Sequence, residues 1–214
     1  MKFDAMKLAV FRRLRESSAQ PVYFTEAQIE QAINDGYMEL SDATEWYERH
    51  TTMNLLNNRP YYDARTTLGE SFLAFGAAFN TQTNQWLEPT AVSGLDASNR
   101  NWELTPGEPN RLVTRGLWWL GYWPRINADS GTVKQYWTSL PDAMEDDEDE
   151  PGFPEPFHIG CVDFAVCDLQ AQDGQTKKAM LAWAAYLVKE AELAAWVLAR
   201  ASVPMRQGYA AHVG

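Results

Sequence analysis

Carboxylates are the most abundant reactive groups in this chain of 214 residues, 29 against 18 Lys and Arg. Pairs such as Asp142 with Glu145 offer the two carboxyl groups that a muramidase-type glycosidase uses. With so many acids, however, such pairs arise by chance. Nucleophile elbows, phosphate-cradling glycine loops, HExxH and paired CxxC motifs are missing from the sequence, so it points away from an enzyme and names no catalytic residue or cofactor. Cys161 and Cys167 lie six apart in an expected helix, which turns their side chains about 240° from one another and keeps them from pairing. With His50, His158 and His212 scattered, no metal-ligand spacing emerges. The run from Glu145 to Glu150, EDDEDE, suits a hard cation chemically but lacks the ligand spacing of an EF-hand loop. Flanked by Pro141 and by Pro151, Pro154 and Pro156, it reads as a mobile or extended linker. Trp118, Trp119 and Trp123 are the remaining chemistry-bearing group: core, an inter-subunit seam, or a stacking platform for sugars.

The elements that must position these residues follow from periodicity. An amphipathic helix with a basic end is expected from Asp4 to Arg15, with Met6, Val10 and Leu14 on its apolar side. Thr25 and Gln28 form a capping box, with Phe24 and Ile29 placed as a staple, and start a second helix that runs to about Arg49. Its acids are either a solvated face or a channel wall. From His50 to Pro151 the helical period gives way to short runs between turn residues. Strands are expected at Thr51 to Asn57, Tyr61 to Thr67, Leu87 to Val92, Leu112 to Arg115, Trp118 to Pro124 and Thr132 to Ser139, with a turn from Asn127 to Gly131. The strand beginning at Trp118 is apolar on both faces, hence either sandwiched or stacked on another subunit. Helices from Phe157 to Ala171 and from Gln175 to Arg200, broken at Asp173-Gly174, make an Ala-rich α-hairpin.

The resulting fold class is α+β: a discontinuous helical bundle (1–50 and 151–200), an inserted antiparallel β-rich lobe ending in the acidic linker (51–150), and an extended tail (201–214). A formal charge of −11 argues against a surface that grips DNA, though it suits a conduit through which DNA slides. The N-terminus, with Lys2, Asp4 and Lys7, does not read as a signal peptide. Lys189, Glu190 and Glu192 in the Ala179 to Ala199 run mark it as a buried bundle helix rather than a membrane span. The cysteine usage reads as cytosolic and reduced.

With its elements in this order, the chain resembles the head-tail connector adaptor proteins, or head-completion proteins, of tailed bacteriophages over most of its length. The likeness is carried by the Thr25-Glu26-Ala27-Gln28 helix start followed by Ile29-Glu30-Gln31-Ala32-Ile33-Asn34, and by the strand entry Arg59-Pro60-Tyr61-Tyr62-Asp63. Gly121-Tyr122-Trp123-Pro124, the hairpin into Tyr136-Trp137, Pro156-Phe157-His158 after the acidic break, and the terminal helix holding Tyr186 and Glu190 complete it. The resemblance implies a virion structural protein of the neck, made in the host cytoplasm, whose copies form a dodecameric homo-oligomeric ring. That ring would bind the portal protein on one side and the tail or next neck protein on the other, with genomic DNA passing through unbound and no membrane or cofactor involved.

On that basis the tail residues Val203, Pro204, Met205, Arg206, Tyr209 and His212 are expected to bind portal, lacking a core of their own and ordering on docking. Trp118, Trp119 and Trp123 are expected at the inter-subunit seam. Glu30, Asp35, Glu45, Asp146 and Asp147 are expected to face the channel. The competing readings are a cell-wall-degrading virion enzyme and a Trp-rich carbohydrate-binding module.

Overall fold

The computed structural model describes residues 1–16, 23–69, 71–127 and 131–200. In chain order the elements are α1 (Phe3–Leu14), α2 (Glu26–Thr44), β1 (Glu48–Leu55), β2 (Tyr61–Asp63), α3 (Ala64–Thr67), β3 (Phe72–Asn80), β4 (Gln85–Trp86), β5 (Glu88–Thr90), α4 (Val92–Ser98), β6 (Arg111–Arg115), β7 (Trp119–Trp123), β8 (Gly131–Ser139), α5 (Ile159–Gln172) and α6 (Thr176–Arg200). The fold is α+β, and the described chain separates into a helical unit, Met1–Tyr47 with 140–200, and a β unit, Glu48–Ser139. The acidic run therefore belongs to the helical unit, whereas sequence alone placed it at the end of the lobe.

In the helical unit, α2 starts on the expected capping box. The Thr25 hydroxyl accepts from the Gln28 amide at 3.3 Å, and the Gln28 side chain accepts from the Thr25 amide at 2.9 Å. The helix ends at Thr44 rather than Arg49, because Glu45 turns into the left-handed region at φ 47°. Trp46 then folds back, its indole N–H donating to the Ser41 hydroxyl at 2.9 Å and its ring meeting Phe153 edge-on. Residues 48 and 49 are thereby free to pair with β8 as the start of β1.

The bundle centres on α5, which buries Cys161, Val162, Ala165, Val166 and Leu169 among α1, α2 and α6. Two glycines set how near the helices approach. A Cβ on Gly36 of α2 would lie 2.9 Å from the Phe164 Cβ and 3.0 Å from the Cys161 carbonyl oxygen. A Cβ on Gly160 would lie 3.0 Å from Leu40 and 3.2 Å from the Lys189 Cβ. The terminal helix departs from the buried rod expected for it: α6 buries Ala179, Tyr186, Leu193 and Val197 and leaves its opposite side in solvent. No described helix is long and apolar enough to cross a membrane.

The β unit is two four-stranded sheets, ordered β1-β8-β3-β4 and β2-β7-β6-β5. One pair, β5 with β6, is parallel, so the lobe is not wholly antiparallel. Met53, Phe75, Val133 and Trp137 from the first sheet and Leu112, Leu120 and Tyr122 from the second share one core.

Several local expectations give way to packing. Tyr61 to Thr67 is a strand only to Asp63, whose carboxylate accepts from the Arg65 amide at 3.0 Å and caps the single turn of α3. Leu87 to Val92 reduces to β5, with Val92 opening α4. β3, one of the two longest strands, was not anticipated. Its register shifts twice against β8, between Phe72 and Ala74 and between Phe75 and Ala78, which breaks the two-residue alternation that would have marked it. The second irregularity is read by Gln135 on β8. Its buried amide donates to the Ala77 carbonyl at 3.2 Å and to the Tyr136 carbonyl at 2.7 Å, while its oxygen accepts from the Tyr122 hydroxyl at 3.1 Å. Burial raises the Tyr122 hydroxyl well above its ordinary pKa, so it remains a donor.

Gly36→Val tests the close helix approach. It should lower stability in urea unfolding by about 1–3 kcal/mol through overpacking. Gly94→Ala in α4, where nothing lies within 4 Å of the added methyl, should be neutral or slightly stabilising.

Candidate functional site

Two surfaces carry the residues singled out by sequence. The first is acidic. The opening amides of α1 have no partners within their own helix, as at every helix start. Here the Phe3 amide donates to the Asp149 carbonyl at 2.8 Å and the Asp4 amide to the Asp147 carbonyl at 3.2 Å. The EDDEDE run is thus docked against α1, not a mobile linker. Its own turn is closed by the Asp149 carboxylate, which accepts from the Glu145 and Asp146 amides at 2.8 and 2.9 Å and is held below the usual carboxylate range by those bonds.

Upstream, the Asn34 amide side chain pairs with both backbone groups of Met144, at 2.8 and 3.0 Å. Downstream, the Tyr37 hydroxyl accepts from the Gly152 amide, and the buried His158 ring bonds the Phe153 carbonyl at 2.7 Å through Nε2. At the centre sits Lys7, 9 % exposed. Its ammonium lies 2.9 Å from Glu26, 2.9 Å from Glu30 and 2.7 Å from Asp147. Burial by itself would lower the Lys7 pKa, but the three carboxylates outweigh it and the pKa is raised. Lys2 pairs with Glu148, and Arg13 with the buried Asp163 on α5.

The five acids expected along a channel therefore divide. Glu30 and Asp147 are bonded to Lys7, whereas Asp35, Glu45 and Asp146 stand exposed. Asp142 and Glu145, the example of a glycosidase-like pair, are both exposed too. Among the described residues no group of three or more His, Cys, Asp and Glu is placed to hold a metal ion. Cys161 is buried, its thiol pushed up by that burial, and both cysteines are free.

The second surface lies around β7. Leu120 and Tyr122 point into the shared core, and the other face carries Trp119, Gly121 and Trp123. That other face is partly covered from within, by α4 and a 3-10 turn at Trp102–Leu104: Leu95, Trp102 and Val113 form a small second core against which Tyr61 and Trp123 pack. The Trp123 indole N–H donates to the Trp102 carbonyl at 2.8 Å, and the Arg111 guanidinium sits 5.1 Å from its ring. Trp118 falls on the side of Leu120, its ring 6.0 Å from that of the core residue Phe72, with the Arg65 guanidinium 5.5 Å above it. At this end of β7, Trp118 is 37 %, Trp119 44 % and Leu117 76 % exposed. The three tryptophans thus do not line one face and do not form a single flat platform.

Trp102 is a core anchor that sequence reasoning passed over, its indole bonded to Asp96. An aromatic row on the outer face of the first sheet was also missed: His50, Tyr136, Trp86 and Phe79 follow one another at 5.6, 5.5 and 5.1 Å between ring centres. Recognising it required β3 and β4, and the Thr83-Asn84 turn, with Asn84 at φ 57°, was the available signal for that hairpin. The tail residues Val203, Pro204, Met205, Arg206, Tyr209 and His212 lie outside the described residues, as does 128–130 of the expected turn.

Replacing Lys7 with Met should remove the bond to all three carboxylates while letting these exposed groups rehydrate, so the expected loss is about 1–2 kcal/mol. The 145–150 run should become cleavable by a Glu-specific protease. Because the Lys7 pKa is raised on folding, this stabilisation is fully present below the ordinary value of 10.5 and is lost only as pH rises through the higher folded-state value. Equal protease resistance of variant and parent would count against the anchor.

The family model described as SU10 adaptor protein matches residues 1–208. No curated protein matches the chain.

Proposed function

The chain belongs to the SU10 adaptor protein family, and from that premise we propose that it is the head-tail connector adaptor of a tailed phage, a structural rather than catalytic part of the virion. In this reading its copies form a ring, dodecameric as the resemblance implies, beneath the portal protein and above the tail or next neck protein. The observation that carries the reading is a family match that runs through the helical unit and the β unit alike. A wall-degrading enzyme or an isolated sugar-binding module would instead need chemistry that the tryptophan and carboxylate placements do not favour.

Roles follow for the two surfaces. Asp35, Glu45 and Asp146 are exposed acids suited to a wall along which DNA slides, since like charge keeps phosphates from sticking. Glu30 and Asp147 serve the bundle through Lys7 instead. Trp119 with Leu117 is the part of the aromatic surface suited to a seam between copies, where a few buried anchors carry most of the association energy. Trp123 is committed largely to its own lobe, and Trp118 in part, through Phe72 and Arg65. The residues from Val203 to His212 are assigned to the portal by their place after α6.

Electron microscopy of the purified chain mixed with its portal tests the proposal directly: a ring on the portal is expected, and particles of portal alone would overturn it. Deleting 201–214 should leave a folded chain that no longer attaches. Trp119→Ala should weaken assembly by about 2 kcal/mol or more with little change in melting temperature. Trp118→Ala should instead lower the melting temperature. A gel shift with duplex DNA that weakens steeply with salt would reveal a gripping basic surface and remove the sliding-wall role.

A further inference from the structure

Helix α6 is apolar on two opposite sides, and the described residues cover only one of them. A helix with apolar stripes on both sides ordinarily packs on both. Directly opposite its buried residues, where an amphipathic helix carries charge, stand Leu181, Ala184, Val188, Ala191, Ala195 and Leu198, all exposed; Leu181 is 75 % and Val188 54 % accessible. Their spacing alternates three and four, the 3.5-residue repeat by which one helix packs along another. The repeat selects a helix as the covering element rather than a sheet or a small ligand.

We propose that this stripe is covered by α6 of a second copy of the chain, running antiparallel, so that the free protein is a two-fold dimer. The stripe complements itself in that direction. Leu181 meets Leu198 of the second copy, Ala184 meets Ala195, and Val188 meets Ala191, and the same three layers repeat beyond the two-fold axis. Large residues thus close both ends, and small ones let the backbones approach at the middle.

Charge favours the same direction. A parallel pair would stack Lys177 and Lys178 on their own images and set the two helix dipoles side by side, whereas the antiparallel pair sends the lysines to opposite ends and opposes the dipoles. Glu192 is the acid bordering the stripe, and in this register it lies beside Ala185 of the other copy. Lys189 is turned away and paired with Glu192 within its own helix at 2.6 Å. The contact uses the same patch on both copies and closes at two. It is therefore distinct from the head-to-tail contact a ring needs and does not rest on that reading.

Sedimentation equilibrium of the full chain should show a monomer–dimer equilibrium that shifts to dimer with concentration, and Val188→Glu should make it monomeric at every concentration, with unchanged helicity and the melting temperature of the parent diluted to monomer. Ala184→Glu, at another exposed layer, should do the same and stands in should the first variant fail to fold. The direction is read by disulfide trapping in a Cys167→Ser background, the Cys161 thiol being enclosed. Mixed Leu181→Cys and Leu198→Cys chains should cross-link to one another, and neither should cross-link to itself. A parent chain that stays monomeric, a glutamate variant that folds and still dimerises, or self-cross-linking of Leu181→Cys alone would each overturn the proposal, whatever the outcome of assembly on portal.

Discussion

One largely buried ammonium group joins parts of the helical unit that would otherwise repel. Lys7 stands among Glu26, Glu30 and Asp147 in a chain whose formal charge is −11. Without a cation there, the start of α2 and the acidic run would set three carboxylates against one another. With it, the run is drawn onto the opening amides of α1, and the positive end of that helix adds to the attraction. Six consecutive acids thereby become the element that closes the bundle. Asn34, Tyr37 and His158 fix the flanking backbone on either side, so the connection is specified by hydrogen bonds as well as by charge.

The β unit solves a different problem. Its aromatic content exceeds what one sandwich interior accommodates, and the excess is distributed over three places. Trp137 and Tyr122 fill the shared core, and Trp102 and Trp123 fill the small outer core beneath α4. Trp86 and Tyr136 lie in the row on the outside of the first sheet. At the start of β7, Leu117, Trp118 and Trp119 all keep exposed apolar surface, while Trp123 is drawn into the small outer core. The polar node at Gln135 keeps the irregular register of β3 from leaving a carbonyl unpaired in the interior, the condition a buried backbone group has to meet.

The two units differ in how they expose apolar surface, and that difference bears on assembly. In the β unit it is an edge beside a cation, with Arg65 over Trp118. In the helical unit it is the full outer length of α6, uninterrupted by basic residues between Lys178 and Lys189.

Sequence by itself determined the α+β class, the capping box at Thr25 and the α-hairpin of α5 and α6, because each rests on local chemistry: a hydroxyl three residues from an amide, or an apolar repeat longer than ten residues. The family resemblance was legible for the same reason, through the order of such segments. Tertiary structure alone decided the rest. EDDEDE reads as a linker until Lys7, about 140 residues away in the chain, is placed against it. β3 is hidden by bulges that only its pairing with β8 explains. Trp118 and Trp119 are neighbours of identical type, and they part company because alternation turns one toward Phe72 and the other to the open edge. The outer side of α6 looks like core in sequence, since composition records how apolar a helix is and not how many of its sides the chain can cover.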